Sequence, residues 1–588
     1  MTTTDPINDV FEQLFQSTAQ ASFNMNPWNW QKQVGGQILR LRSEKADVRH
    51  LCVRPTGGGK TLLFHTLAAY MKGVTLCLIP LLSLGADQVN KAMIKTRDDP
   101  MNAISAFHLD ELKDPDVKEL LLLLSQVDAG TTTILYSSPQ FLVERCPSFF
   151  QDLLNLGVLR FVSVDEIHLF SHFGRSFRDE FNKLKVDLFD KLPKKVPCLF
   201  LTATCTRRIK ESFESLIGLP ITHIHWPQAH EMADRKVSLF INYSSRPFSN
   251  MSKSITRFLK INDDLPDKFI VYSNVRSRIK DVQSGMCDVF DKDDQLFLDD
   301  IMCIHGQLSK EEKASYTQLF LNPEHEDDKR IKVLCATSGV GNVGINSPDI
   351  RAVFRLEFPP SIMDFSQEKG RAGRRVIPDP SNFSYNVFFS IESLVYIFER
   401  TMNPKECYID DKFRAEVVQD AFEVAKMFVS QKKCFYITLE NYLGNPYNEI
   451  IPEVDNRNVC GMCPYCRRER LFPQVKKAGV QKVLFDVYNP IAINGITPDR
   501  LPMTLKTLVS LIRLFPNSTT LLTGSKAAAT PSPDIIKKIL FLMLSSEIMT
   551  LEFHLELKCA VFALSRCKDD NNSFALQNDE YWSNIVLK

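Results

Sequence analysis

No apolar run in this 588-residue chain reaches the roughly 18 residues needed to span a bilayer, so no membrane partner is expected. The first residues, MTTTDPINDVFEQ, lack the basic, then apolar, then small-residue order of a secretory signal, and none is expected. Net charge is almost absent: 71 Lys and Arg against 70 Asp and Glu leave +1. A global basic field is excluded, and any polyanionic partner must be held by local patches. No tandem repeat of roughly 20–50 residues recurs. Most of the 15 cysteines stand alone in apolar contexts such as TLCLIP and KVLCAT. There Cys77, Cys198 and Cys335 read as small core residues, and a reducing, intracellular compartment is expected.

The length suggests about three or four domains. Hydrophobic content of 44% and charged content of 24% are ordinary for a globular protein. From residue 31 to 205, the apolar runs HLCVRP, VTLCLIP, TTTILYSS, LRFVSVDE and PCLFLTAT alternate with helix-compatible segments. A second series, KFIVYSN, MCIHG, IKVLCAT and RAVFRLEF, starts near residue 267. Strands alternating with helices predict two parallel-sheet α/β units in tandem. Residues 241–254, INYSSRPFSNMSKS, read as a polar join between them. Beyond residue 400 the pattern turns helical, and the alternating stretch IMTLEFHLELKCAVFAL near the end reads as a hairpin.

VRPTGGGKT, Val53 to Thr61, lies between a strand and a helical run. Thr56 and the glycines Gly57, Gly58 and Gly59 allow backbone N–H groups to curl around a phosphate. Lys60 can reach the β and γ phosphates, and the Thr61 hydroxyl can ligate Mg²⁺. The strict phosphate-loop pattern has Gly where this chain has Arg54. Asp165 and Glu166 end a second apolar strand. With a phosphate loop upstream, Asp165 is expected to hold Mg²⁺ and Glu166 to polarise the attacking water. Arg371 and Arg374 in QEKGRAGRR are candidates for stabilising transition-state charge on the γ-phosphate. GVGNVG, Gly339 to Gly344, fits a dinucleotide fingerprint. Pro348 breaks the helix that such a site would need.

Taken in order, these segments resemble a superfamily 2 DExH helicase of the RecQ type over about residues 20–470. Gln31 in WNWQKQ matches the adenine-reading glutamine, and Trp28 stands where that family has arginine. PLLSLGADQV, with Ser83 and Gln88, and YSSPQFL match strand-binding elements. DEIH, with His168, matches motif II, and TAT (Thr202 to Thr204) matches motif III. Asn346 aligns with the end of motif V, and Arg375 replaces the usual acid after motif VI. Phe173, Phe177 and Arg178 fall on that family's aromatic-rich loop, which implies base stacking and phosphate contact.

The resemblance implies ATP, Mg²⁺ and Zn²⁺ as cofactors, single-stranded and tailed duplex DNA as partners, and 3′ to 5′ polarity; the nucleus is the expected location, though the residues themselves do not separate it from the cytoplasm. It also implies the fold class: two tandem RecA-like lobes, a helical zinc-binding subdomain and a small winged-helix-like α+β domain. Expected bounds are 1–20 for a lead-in, 21–245 and 246–400 for the lobes, 401–470 for the zinc subdomain, 471–500 for a linker and 501–588 for the last domain. Cys460, Cys463 and Cys466 in NVCGMCPYC, with Cys434 upstream, suit a closed tetrahedral zinc site; Cys407 is the rival fourth ligand.

Overall fold

The computed structural model describes residues 6–46, 48–54, 57–79, 88–89, 92, 104–126, 130–169, 183–227, 237–261, 268–289, 301–321, 332–337, 345, 347–373, 383–403, 411–429, 434–442, 460–469, 477–488, 504–514, 532–545, 549–554 and 559–564. It divides into two compact units: residues 1–232 with 441–450, and residues 233–440 with 451–588.

Among the described residues the first unit holds seven strands: β1 (Arg49–Val53), β2 (Gly73–Leu78), β3 (Ile104–His108), β4 (Thr132–Ser137), β5 (Leu159–Val164), β6 (Cys198–Thr202) and β7 (His223–His225). They lie in the order β3-β4-β2-β5-β6-β1-β7, and every pairing is parallel. β2 and β4 are buried at every position. Strands covered on both faces by helices read as continuous apolar runs, which is why periodicity alone located them. β5, β6 and β1 are neighbours, so the loops leaving their C-terminal ends lie side by side. Those loops carry DEIH, TAT and the glycine-rich loop.

The second unit holds β8 (Ser238–Tyr243), β9 (Lys268–Ser273), β10 (Ile301–Ile304), β11 (Val333–Thr337), β12 (Ile350–Leu356) and β13 (Ser384–Phe389). Their order is β10-β11-β9-β12-β13-β8, again all parallel. An antiparallel hairpin, β14 (Met549–His554) with β15 (Cys559–Leu564), follows near the end of the chain. Two parallel-sheet lobes and the hairpin thus agree with the pattern of the sequence.

Three stretches differ from expectation. The lead-in, expected to hold one short amphipathic helix, is an 18-residue helix, Pro6–Phe23, whose Phe15 and Ala19 are fully buried, Phe15 in the first core. Gly35 lets it approach: a Cβ there would sit 2.3 Å from the Phe15 ring. Residues 241–254 are not a join. Ile241 to Tyr243 finish β8, which pairs with β13, and Pro247 begins a helix running to Ile261. Polar side chains on a half-exposed edge strand account for the loop-like composition. The presumed linker 471–500 contains the helix Lys477–Tyr488, with Val480, Val483 and Leu484 buried.

The C-terminal helix Pro533–Ser545 is embedded in the second unit. Ile536 and the run from Ile539 to Ser545 are buried. The Phe541 ring lies 5.6 Å from Tyr243, 6.1 Å from Phe358 and 5.4 Å from Phe389. Around the rim, Ser245 Oγ donates to Asp534 at 3.1 Å, Lys537 pairs with Glu392, and Ala560 N–H donates to Glu399 at 2.8 Å. No helix among the described residues is long and apolar enough to cross a membrane.

Candidate nucleotide site and cysteine cluster

The helix Lys60–Met71 begins directly after Gly59, which has φ +82°. A side chain there would meet two obstacles: its Cβ would lie 2.6 Å from Gln31 Nε2 and 3.1 Å from the Trp28 ring. Glycine is therefore required both by the left-handed backbone and by close approach. Gln31 Nε2 donates to the Gly59 carbonyl at 2.8 Å, and Gln31 Oε1 accepts from the Trp28 N–H at 2.6 Å. One carboxamide thus ties the start of the helix Asn29–Ser43 to the phosphate loop. Lys60 Nζ donates to the Arg54 carbonyl at 3.1 Å and lies 4.0 Å from Glu166 Oε1.

Asp165 continues the sheet: its N–H donates to Leu78 at the end of β2, 2.9 Å away. Its Oδ1 accepts from the Glu166 N–H at 2.9 Å. Glu166 has φ +52°, a conformation that costs a non-glycine residue on the order of 1 kcal/mol or more and clusters at functional sites. His168 Nδ1 lies 3.3 Å from Glu166 Oε2 and 2.9 Å from Thr202 Oγ1. The Thr202 hydroxyl donates onward to the Thr204 carbonyl, so the proton of the His168–Thr202 contact sits on Nδ1. Lys60, Glu166, His168 and Thr202 form one polar chain across three loops. The donor set suits a triphosphate with Mg²⁺: an ammonium, backbone N–H groups at a helix N-terminus, a hydroxyl at Thr61 and a carboxylate at Asp165.

Sequence reasoning missed the bracket around Arg54. Its Nη1 donates to the carbonyls of Val53 at 2.8 Å and His225 at 3.0 Å, and its guanidinium stands 4.4 Å over the Trp30 ring. Beside it His50 stacks between His223 and His225, with ring centroids 4.6 and 5.0 Å away. Burial, then the neighbouring His225, holds His50 down at about 2. Burial, then Arg54, holds His225 at about 4. The signal was the HIH triplet, a strand too short for periodicity to find.

In the second unit Arg371 is buried and donates to the Ile345 carbonyl at 2.7 Å. Nearby, Arg355 and Glu368 are both fully buried, 3.4 Å apart. The Tyr385 hydroxyl donates to Glu368 at 2.7 Å, and burial pushes the Glu368 carboxyl up to about 7. Gln88 is buried. Thr56, Ser83, Phe173, Phe177, Arg178, Asn346, Arg374, Arg375, Cys407 and the GVGNVG segment lie outside the described residues.

The Sγ atoms of Cys434, Cys460, Cys463 and Cys466 all lie within 4.8 Å of one another. Four thiolates at roughly 2.3 Å from one Zn²⁺ stand roughly 3.8 Å apart, so the cluster fits the ion. Backbone N–H groups already point at the sulfurs: Phe435 and Cys466 at Cys463, Met462 and Cys463 at Cys460. Such hydrogen bonds favour the thiolate form. The cluster also covers the exposed edge of β8. Leu239 N–H donates to Met462 O at 3.0 Å, Arg467 Nη2 donates to Leu239 O at 2.7 Å, and the Tyr436 hydroxyl donates to Val237 O at 2.6 Å. An unpaired parallel edge is thereby closed.

Residues 29–212 match the DEAD/DEAH box helicase model, and residues 251–376 match the helicase conserved C-terminal domain. ATP-dependent DNA helicase Q-like 4B of Arabidopsis thaliana is 31% identical over 58% of this chain and 27% of its own length. ATP-dependent DNA helicase RecQ of Haemophilus influenzae is 24% identical over 74% of this chain and 62% of its own. The chain spans less than two thirds of the length of either relative. Among solved structures, helicase Lhr of Mycobacterium smegmatis bound to ssDNA and AMP-PNP aligns with 75% of this chain and 56% of that one, at 17% identity and a TM-score of 0.45. With both helicase domains in order, RecQ-type relatives and a cysteine cluster beyond them, the chain belongs to the RecQ-type superfamily 2 helicases.

Proposed function

We propose that this protein is an ATP-dependent DNA helicase that translocates 3′ to 5′ on single-stranded DNA and unwinds tailed duplexes, acting in the nucleus. The observation that carries the reading is the polar chain from Lys60 through Glu166 and His168 to Thr202. An ammonium, a carboxylate and an imidazole that meet at the ends of adjacent strands support this reading. Lys60 neutralises the β and γ phosphates. Thr61 and Asp165 would hold Mg²⁺, which supplies further charge neutralisation. Glu166 accepts the proton of the attacking water, with His168 Nδ1 3.3 Å from its Oε2. Arg371 and Arg374 are assigned to γ-phosphate charge, with Arg371 also tying motif VI to Ile345. Ser83, Gln88, Phe173, Phe177, Arg178 and Asn346 are assigned to the DNA strand, and the four cysteines to structural Zn²⁺.

Lys60→Ala removes the only positive side chain in this polar chain. It should lower DNA-stimulated ATP turnover by at least about 100-fold, the loss of more than about 2.7 kcal/mol of transition-state stabilisation. Unchanged turnover would refute the site. Unwinding of 3′-tailed, 5′-tailed and blunt duplexes, in DNA and RNA versions, tests the rest. Preference for a 5′ tail refutes the polarity, and preference for RNA refutes the substrate.

A further inference from the structure

We infer that Tyr436 is a positioning residue for the arginine segment: it fixes the turn that carries Arg371 and leads into Arg374, and so sets the rate of nucleotide hydrolysis. The inference rests on the assignment of those two arginines to the γ-phosphate and deepens it. The segment leaves the helix Ile362–Lys369 and turns through Gly370 to Gly373. Its backbone contributes the short-range bonds of a helix end, from the Arg371 N–H to Glu368 O at 3.1 Å and from the Ala372 N–H to Lys369 O at 3.3 Å. Gly373 then takes φ +73°, a left-handed conformation that ends the turn. Charge stabilisation by a guanidinium depends on its place, and a misplacement of about 1 Å can cost roughly 10²-fold in rate. What holds this turn therefore matters to the chemistry.

Tyr436 reaches both ends of it. Lys369 Nζ, at the entry to the turn, stands 4.1 Å from the centre of the Tyr436 ring, where the negative face of the ring attracts a cation. The Tyr436 hydroxyl donates to the Val237 carbonyl at 2.6 Å. Val237 is the residue on which the far end of the turn rests: a Cβ placed on Gly373 would lie 3.0 Å from Val237 Cγ2. One half-buried side chain thus grips the residue before Gly370 and the support beneath Gly373. Tyr436 is itself held by its neighbour. Phe435 is buried, its ring 5.8 Å from Phe365 in the arginine helix and 5.7 Å from Phe428, and its N–H donates to Cys463 Sγ at 3.5 Å. The helix Phe435–Tyr442 therefore backs the arginine segment through two successive aromatics. Phe435 meets the helix, and Tyr436 meets the turn.

The test measures ATP turnover by the full chain with saturating single-stranded DNA. Tyr436→Leu should lower kcat by roughly 10- to 100-fold. The KM for ATP and the dissociation constant for single-stranded DNA should stay within about threefold of wild type. Tyr436→Phe keeps the ring over Lys369 and should retain most of the rate. Lys369→Met removes the cation and leaves the ring, and it should lower kcat in the same way. The two changes together should cost less than the product of the singles, because they break one contact. The deciding measurement adds Arg374→Ala. In the Tyr436→Leu background it should cost at least about tenfold less than in wild type, since the arginine is already displaced. A change that merely unfolds part of the population leaves that factor the same in both backgrounds. Equal factors overturn the inference. So does full kcat in both Tyr436→Leu and Lys369→Met, or a loss that appears in KM or DNA affinity while kcat is kept. Unchanged turnover on Arg374→Ala in the wild-type chain refutes the arginine assignment itself, and the inference falls with it.

Discussion

Removing the Phe541 ring should loosen strands more than 150 residues away in sequence, not only the helix that carries it. Phe541 is fully buried and contacts Tyr243 at the end of β8, Phe389 at the end of β13, and Phe358 after β12. Phe→Ala at such a position costs about 3–5 kcal/mol, because the cavity collapses only in part. That cost corresponds to a rise of roughly 10²- to nearly 10⁴-fold in the opening of whatever cooperative unit contains the ring. Hydrogen exchange read by mass spectrometry assigns the unit. Amides of β8 and β13 should exchange faster in Phe541→Ala by about that factor, while β1 and β5 of the first unit keep their protection. Faster exchange confined to Pro533–Ser545 and the hairpin would refute the reasoning. The C-terminal segment would then be a separate domain resting on the lobe rather than part of its core.

Three further outcomes follow from the buried charges and the cluster. The unfolded chain protonates His50 and His225 below about pH 6.5, whereas the folded chain resists until about 2 and about 4. Stability of the first unit is thus full above that pH and falls by about 4 kcal/mol in all at pH 5, about 1.4 kcal/mol per unit per histidine. Urea unfolding at pH 7.5 and pH 5 checks this, and a His50→Gln, His225→Gln double variant should lose that dependence. Glu368 has the opposite sign, because its folded value of about 7 lies above the unfolded one. The second unit should gain about 1.4 kcal/mol per unit as pH falls below about 7 towards the ordinary glutamate range. Glu368→Gln should abolish that gain, and an unaltered slope counts against the buried pair. Chelation of Zn²⁺, or Cys463→Ser, should lower the melting temperature of the second unit and speed exchange at Leu239 on β8, since the cluster seals that edge. Loss of metal with unchanged exchange there would mean that the cluster folds apart from the sheet.

The central strands of both sheets, such as β2, β4, β9 and β12, were legible because they are buried and so written as short apolar runs. The failures have physical causes. The run ending in Tyr243 carries polar residues because β8 is an edge strand, so it resembled a join. The helix Pro6–Phe23 shows an ordinary amphipathic pattern, and nothing in that pattern tells a packed helix from a lead-in. His223 to His225 is too short for periodicity. Arg54 read only as a departure from a glycine pattern, because two of its partners, Trp30 and His225, come from distant parts of the chain.

The sequence by itself determined the chemistry: which side chains are available for phosphate, metal and base. That information is local, since a glycine-rich loop, an acidic pair or three cysteines two residues apart need only their own spacing. Tertiary structure alone decided the pairings. It joined Gln31 to Gly59, His168 to Thr202, Arg355 to Glu368 and the cysteine loop to β8. These contacts depend on which strands lie side by side, and strand order in a parallel sheet is set by crossover connections rather than by any local pattern. Tertiary structure likewise buried Gln31 and left Trp28 open.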